Sequence, residues 1–132
     1  MIKNLIELGI SENTILSMVE LNPQIKDIGE IELKNKIEIL KNINCSNTQI
    51  IDIITSNANF FNTIDDDNIK LINYLSELGF NCLNILFDSN PYILNLEVYE
   101  IKNYINNLLK KDLKLEDIVD ELSNNTLLFN EM

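Results

Sequence analysis

The chain has 132 residues, 45% hydrophobic and 23% charged, with only 3 Gly and 2 Pro; this suits one globular domain with a sizeable core and excludes disorder or a loop-rich disulfide scaffold. Its 21 carboxylates face 10 basic residues, all Lys, and there is no His, so the net charge is −11 and the mean field disfavours polyanionic partners. Cys45 and Cys82 form no CxxC pair and lack a His to complete a mixed zinc site, which points to small core or near-core residues in a reducing compartment.

The start of the chain, Met1 to Glu7, meets charge too early for a signal peptide and is not Arg-rich like a mitochondrial presequence. No apolar run approaches the ~20 residues that span a bilayer. A cytoplasmic address is expected, without membrane contact, cofactor or metal.

The predicted elements are all helical, and they recur at a spacing of about 35 residues. Four repeats are expected, at roughly 1–27, 28–62, 63–95 and 96–132 of a single domain. Each is a longer helix, a tight turn, a shorter helix and an apolar connector.

In the first repeat Ile2 and Leu5 share a face of the longer helix, and Leu8-Gly9-Ile10-Ser11 makes the turn. Ile15 and Leu16 lie on the shorter helix, Asn22-Pro23 closes it, and Ile25 follows. The second repeat answers with Ile37, Leu40, Ile43-Asn44-Cys45-Ser46, Ile50, Ile51, Asn57-Ala58 and Phe60. The third reads Ile72, Leu75, Leu78-Gly79-Phe80-Asn81, Ile85 and Leu86, and reaches Asn90-Pro91 and Ile93 if two residues are dropped between Leu86 and Asn90. The fourth gives Ile105, Leu108, Lys111-Asp112-Leu113-Lys114, Ile118, Val119, Asn125-Thr126 and Leu128.

Polar columns punctuate these apolar ones. Gly9, Asn44, Gly79 and Asp112 stand where a left-handed residue would end the longer helix. Ser11, Ser46 and Asn81 are the expected N-caps of the shorter helices, with Gln49 completing a capping box on Ser46 and Lys114 breaking the column. Asp27, Asn62, Asn95 and Asn130 are expected to cap the next longer helix, followed by the dipole-favoured acids Glu30, Asp65, Asp66 and Glu97.

The runs Leu8-Gly9-Ile10-Ser11 to Asn22-Pro23-x-Ile25 and Leu78-Gly79-Phe80-Asn81 to Asn90-Pro91-x-Ile93, with two looser copies, resemble the repeat of the mitochondrial transcription termination factor family, mTERF. The resemblance covers nearly the whole chain. It implies an all-α, right-handed α-solenoid-like stack of about four helix-turn-helix repeats with short 3-10 connectors. In that family a basic concave side holds nucleic acid. Here Arg is absent and the lysines share no full column: Lys34 and Lys102 align, but Ile69 stands between them, and only Lys110, Lys111 and Lys114 cluster. No binding residue is carried over.

Candidate chemistry is sparse. Asp65-Asp66-Asp67 lacks the alternation and Gly of a calcium loop and reads as a helix start. Lysines 110, 111 and 114 could touch a phosphate, yet cations at a helix C-terminus are favoured in any case. Tyr74, Tyr92, Tyr99 and Tyr104 are candidates for a recognition groove or for amphipathic core edges. Without His or a Gly-rich phosphate loop no catalytic residue is assigned, and no enzyme is expected. The terminal apolar residues Ile2, Leu5, Leu127, Leu128 and Phe129 lack obvious cover, which suggests pairing with a partner or self-association through the repeat ends. The sequence therefore reads as a non-enzymatic scaffold recognising a protein or peptide through one face. The alternative is an mTERF-like nucleic-acid binder using a local Lys patch.

Overall fold

A computed structural model describes residues 2–132. Among the described residues there are eight α-helices and four 3-10 segments and no strand. In chain order they are α1 (Ile2–Glu7), α2 (Glu12–Leu21), a 3-10 connector (Pro23–Asp27), α3 (Glu30–Lys41), α4 (Asn47–Ser56), a connector (Ala58–Asn62), α5 (Asp65–Leu78), α6 (Leu83–Ser89), a connector (Pro91–Asn95), α7 (Val98–Leu109), α8 (Leu115–Asn124) and a connector (Thr126–Glu131). The expected helix, turn, helix, 3-10 unit thus recurs four times. The chain forms two compact units, 1–65 and 66–132.

The turns follow from backbone chemistry. Gly9, Asn44, Gly79 and Asp112 have φ of 100°, 69°, 108° and 64°, and no other described residue lies in that region. Glycine reaches it freely, and Asn or Asp is the cheapest substitute. After three of the four left-handed residues comes an apolar one whose amide returns to the helix: Ile10 bonds the Leu5 carbonyl, Cys45 that of Leu40, Phe80 that of Leu75. Ser11 then accepts from the Thr14 amide at 3.2 Å, and Ser46 with Gln49 forms the reciprocal capping box at 3.1 and 2.9 Å.

Each shorter helix ends on the Asn column. The amides of Asn22, Asn57, Asn90 and Asn125 close the last turn on the carbonyls of Met18, Ile53, Leu86 and Glu121. This register corrects the third repeat. Leu86 stands with Met18 and Ile53, so the missing pair of residues lies between Phe80 and Leu83, at the start of α6 rather than its end. The helix loses its first turn, Asn81 is not its cap, and Cys82 occupies the cap position without a side-chain bond. Leu83 takes the buried place expected of Ile85, and Ile85 turns outward at 58% exposure.

A second correction concerns Asp27, Asn62, Asn95 and Asn130. None caps a longer helix. The caps are Gly29 for α3 and Glu97 for α7, the latter in a capping box with Glu100. The Asn/Asp column instead lies at the end of the 3-10 connectors, and in two repeats it accepts a bond from the previous repeat.

In the first unit the buried Asn22 donates from Nδ2 to the Ala58 carbonyl at 3.0 Å and to Asn62 Oδ1 at 3.1 Å, and Asn62 returns a bond to Asn22 Oδ1. Leu5, Met18, Ile25, Leu40, Ile53 and Phe60 form the core around it. In the second unit Asn90 repeats the device, donating to the Thr126 carbonyl at 2.8 Å and Asn130 Oδ1 at 2.9 Å. Leu71, Leu75, Phe87, Ile93 and Ile105 are buried there, and Phe80 meets Phe129 at 6.1 Å between ring centres. Among the described residues every buried side-chain polar atom has a hydrogen-bond partner.

Candidate binding surfaces

The lysines are sorted by helix type, whereas the carboxylates are not: the longer helices α1, α3, α5 and α7 carry nine of them. The shorter helices α2, α4, α6 and α8 carry eight carboxylates and no lysine. All ten lysines sit elsewhere: Lys3, Lys34, Lys36, Lys41, Lys70 and Lys102 on longer helices, Lys26 in a connector, and Lys110, Lys111 and Lys114 in the turn between α7 and α8. A lysine contact to a phosphate would therefore come from a longer helix, the first connector or the turn between α7 and α8.

One lysine is withdrawn from that set. Lys36 is 4% exposed, and its ammonium donates to the Thr63 carbonyl at 2.7 Å and hydroxyl at 3.0 Å, pairs with Asp65 at 2.8 Å and lies over the Phe60 ring. Burial lowers its pKa below the ordinary lysine value, although the Asp65 carboxylate pushes back. It fastens the connector to the start of α5. Asp65 is therefore a structural partner, and the helix start expected of Asp65-Asp66-Asp67 is where α5 begins. Among the described residues no three His, Cys, Asp or Glu side chains gather as a metal site.

The second unit brings exposed cations and aromatics together. Lys70 and Tyr74 are four apart on α5, and Tyr99 and Lys102 three apart on α7, so each pair shares a helix face. Lys102 Nζ stands 5.7 Å from the Tyr74 ring centre, and Lys70 and Tyr99 line one cleft of about 160 Å³ with Asp67, Glu97 and Val98. Tyr99 is 59% exposed, and partial burial raises the Tyr74 phenol above its usual pKa. Sequence reasoning named both tyrosines but not their lysine neighbours. The other two go elsewhere: Tyr92 is exposed on the third connector, and Tyr104 lines a cleft with Leu108, Leu113 and Leu128. The turn lysines 110, 111 and 114 are exposed together but interleaved with Asp112 and followed by Glu116 and Asp117.

On the shorter-helix side of this unit a larger cleft, about 390 Å³, runs between α6 and α8, lined by Phe80, Cys82, Ile85, Val119, Asp120 and Asn124 among others. Cys45 is buried as expected, but Cys82 is exposed at the start of the shortened α6, which corrects the expectation that both are core or near-core residues; neither is in a disulfide.

Compared with known families, residues 1–121 match mTERF. The chain belongs to the mTERF family. The resemblance carried by the Leu-Gly and Asn-Pro runs is thereby confirmed over most of the sequence, and with it the all-α helical-repeat fold class. mTERF repeats are non-enzymatic, so the expectation that this chain is not an enzyme holds on family grounds. No curated protein matches the chain. Among the described residues no helix is long and apolar enough to cross a membrane.

Proposed function

We propose that this mTERF chain binds nucleic acid without catalysis, through the longer-helix side, with Lys70, Tyr74, Tyr99 and Lys102 as a contact patch in the second unit. The observation that carries the reading is the placement of the lysines: none is on the shorter helices, and the six on the longer helices offset most of the nine carboxylates there. Carboxylates more than a Debye length away, about 8 Å at physiological salt, are screened, whereas Asp67 and Glu97 share the cleft and oppose the lysines locally. The exposed Tyr99 and half-buried Tyr74 beside lysines suit single strands, whose bases stack on aromatic faces while cations follow the backbone.

Fluorescence anisotropy against labelled single-stranded RNA, single-stranded DNA and duplex DNA tests this. With the two patch lysines engaged, log K should fall against log salt with a slope of about −1.4 for single strands. The Lys70→Glu/Lys102→Glu double variant should lose at least about tenfold in affinity. No binding at about 20 mM salt, or binding indifferent to the double variant, would overturn the assignment.

A second reading, recognition of a protein or peptide, draws support from the lysine-free shorter helices. Their carboxylates flank the exposed Leu16, Leu21 and Ile85, a combination suited to a basic, amphipathic segment. The cytoplasmic address belongs to the same proposal; the two free thiols support a reducing compartment, and cell fractionation tests it.

A further inference from the structure

Within each unit the two repeats join through the same interface with two halves, and the fourth repeat leaves one half, and the first repeat the other, uncovered. Toward the next repeat, a repeat offers its Asn and a set of apolar side chains. Ile10, Cys45 and Phe80 are buried, but their counterpart Leu113 is 46% exposed. Leu5, Leu40 and Leu75 are fully buried, as are Ile25, Phe60 and Ile93, while Leu108 and Leu128 are only half-buried. Asn22, Asn57 and Asn90 are buried, and Asn125 is exposed. Leu108, Leu113 and Leu128 line one cleft of about 130 Å³ with Tyr104, Asp117 and Glu121. The Tyr104 phenol is raised by burial first and then by Glu131 and Glu121, which places both carboxylates close to this cleft.

The complementary half, which receives a preceding repeat, is laid bare on the first repeat. Phe61, Leu94 and Phe129 are buried, whereas Lys26 in their column is exposed. Ile54, Phe87 and Leu122 are buried, whereas Val19 is half-buried. Leu16 is 63% exposed. The acceptors that Asn22 and Asn90 use lie 36 and 40 residues further on, at Ala58 with Asn62 and at Thr126 with Asn130; the matching pair on the first repeat is the Pro23 carbonyl and the Asp27 carboxylate.

We propose that a second copy of this chain occupies the uncovered face of the fourth repeat through its own first repeat, with Asn125 donating to Pro23 and Asp27 of the neighbour. The contact continues the interface already present between the third and fourth repeats. Lys26 stands where Phe129 meets Phe80, so its stem covers Leu113 and its ammonium reaches toward Asp117 and Glu121. A head-to-tail contact of this kind uses two different surfaces, so it propagates rather than closing as a dimer.

Sedimentation velocity and light scattering at about 0.15 M salt, up to about 0.5 mM protein, read the outcome. The wild type should exceed the 15.2 kDa chain mass increasingly with concentration, without a plateau at the dimer. Leu113→Glu blocks one surface and the Leu16→Glu/Lys26→Glu double variant the other, all at exposed positions, and circular dichroism checks that each remains helical. Each alone should be monomeric, and their equimolar mixture should stop at twice the chain mass, because one intact surface of each remains. A wild type that stays monomeric throughout, blocked variants that still associate alone, or a mixture that stays monomeric would each overturn the proposal.

Discussion

Asn90 gives the sharpest test of how one repeat is held to the next. It is 6% exposed, and its amide nitrogen donates to the Thr126 carbonyl at 2.8 Å and to Asn130 Oδ1 at 2.9 Å. Asn90→Ala deletes both bonds. A net value of about 1 kcal/mol per bond sets the loss near 2 kcal/mol, moderated because Thr126 is half-buried and Asn130 exposed, so water reaches the abandoned acceptors.

Asn90→Asp is nearly isosteric, yet it sets a carboxylate oxygen against two acceptor oxygens at the distances the amide nitrogen held. Neither can donate, and the buried charge has no cation, so the cost should reach about 3 kcal/mol or more. Urea unfolding followed by circular dichroism, with the slope m compared between variants, measures both. The order is what decides. Were the Asn column only a helix stop, Asp would be milder than Ala; finding that order, or both variants within about 0.5 kcal/mol of wild type, would refute the cross-repeat bond as a stabilising element. The Asp variant should also recover as pH falls below about 4, where the protonated carboxyl can donate again.

Other measurements follow from the same geometry. Lys36→Ala should cost about 2–3 kcal/mol, since Asp65 and Thr63 lose their cation but Asp65 is partly solvated, whereas Lys36→Met should cost less by filling the site. Because burial holds the Lys36 pKa below its unfolded value, the folded state binds fewer protons in that window; wild-type stability relative to Lys36→Met should therefore rise with pH up to about 10.4, read by urea unfolding across the alkaline range. Gly79→Ala should lower stability by at least about 1 kcal/mol through backbone strain alone, since an added Cβ meets nothing within 4 Å, while Asn44→Gly should change it little; thermal melts check both. Ser46→Ala should cost about 1 kcal/mol by the same assay, because it opens the capping box of α4.

The parts of this fold legible in the sequence are those with a local cause. Four left-handed turn residues announced themselves because few residue types tolerate that conformation, and all four have positive φ. The Asn that ends each shorter helix was visible for the same reason. Its second role was not, because a bond to a residue 36 or 40 positions away leaves no local mark, and the Asn/Asp column that receives it looks like a helix cap. The gap in the third repeat was misplaced because Ile85 and Leu83 are both apolar; only the bond from Asn90 to Leu86 fixes the register. Lys36 sits in a column with Leu71 and Tyr104, yet a lysine in sequence reads as solvated until its partners Thr63 and Asp65 are brought to it.

The lysines illustrate a different failure. Seeking them in one column across repeats found no pattern, because a phosphate-facing surface needs cations on a side, not at a register. Counted by helix type they separate completely, six on the longer helices against none on the shorter, with the other four in a connector and a turn. A net charge averages the two sides, and it predicts repulsion only for a partner far enough away to feel both. At contact, within a screening length of about 8 Å, the partner meets Lys70, Tyr99 and Lys102 together with the cleft carboxylates Asp67 and Glu97 rather than the net charge of the whole chain. Salt then works both ways: it weakens the lysine contacts and also screens the long-range repulsion that slows approach. Association rates should consequently vary less with ionic strength than dissociation rates, a signature that binding through a uniformly basic groove would reverse, and stopped-flow anisotropy separates the two.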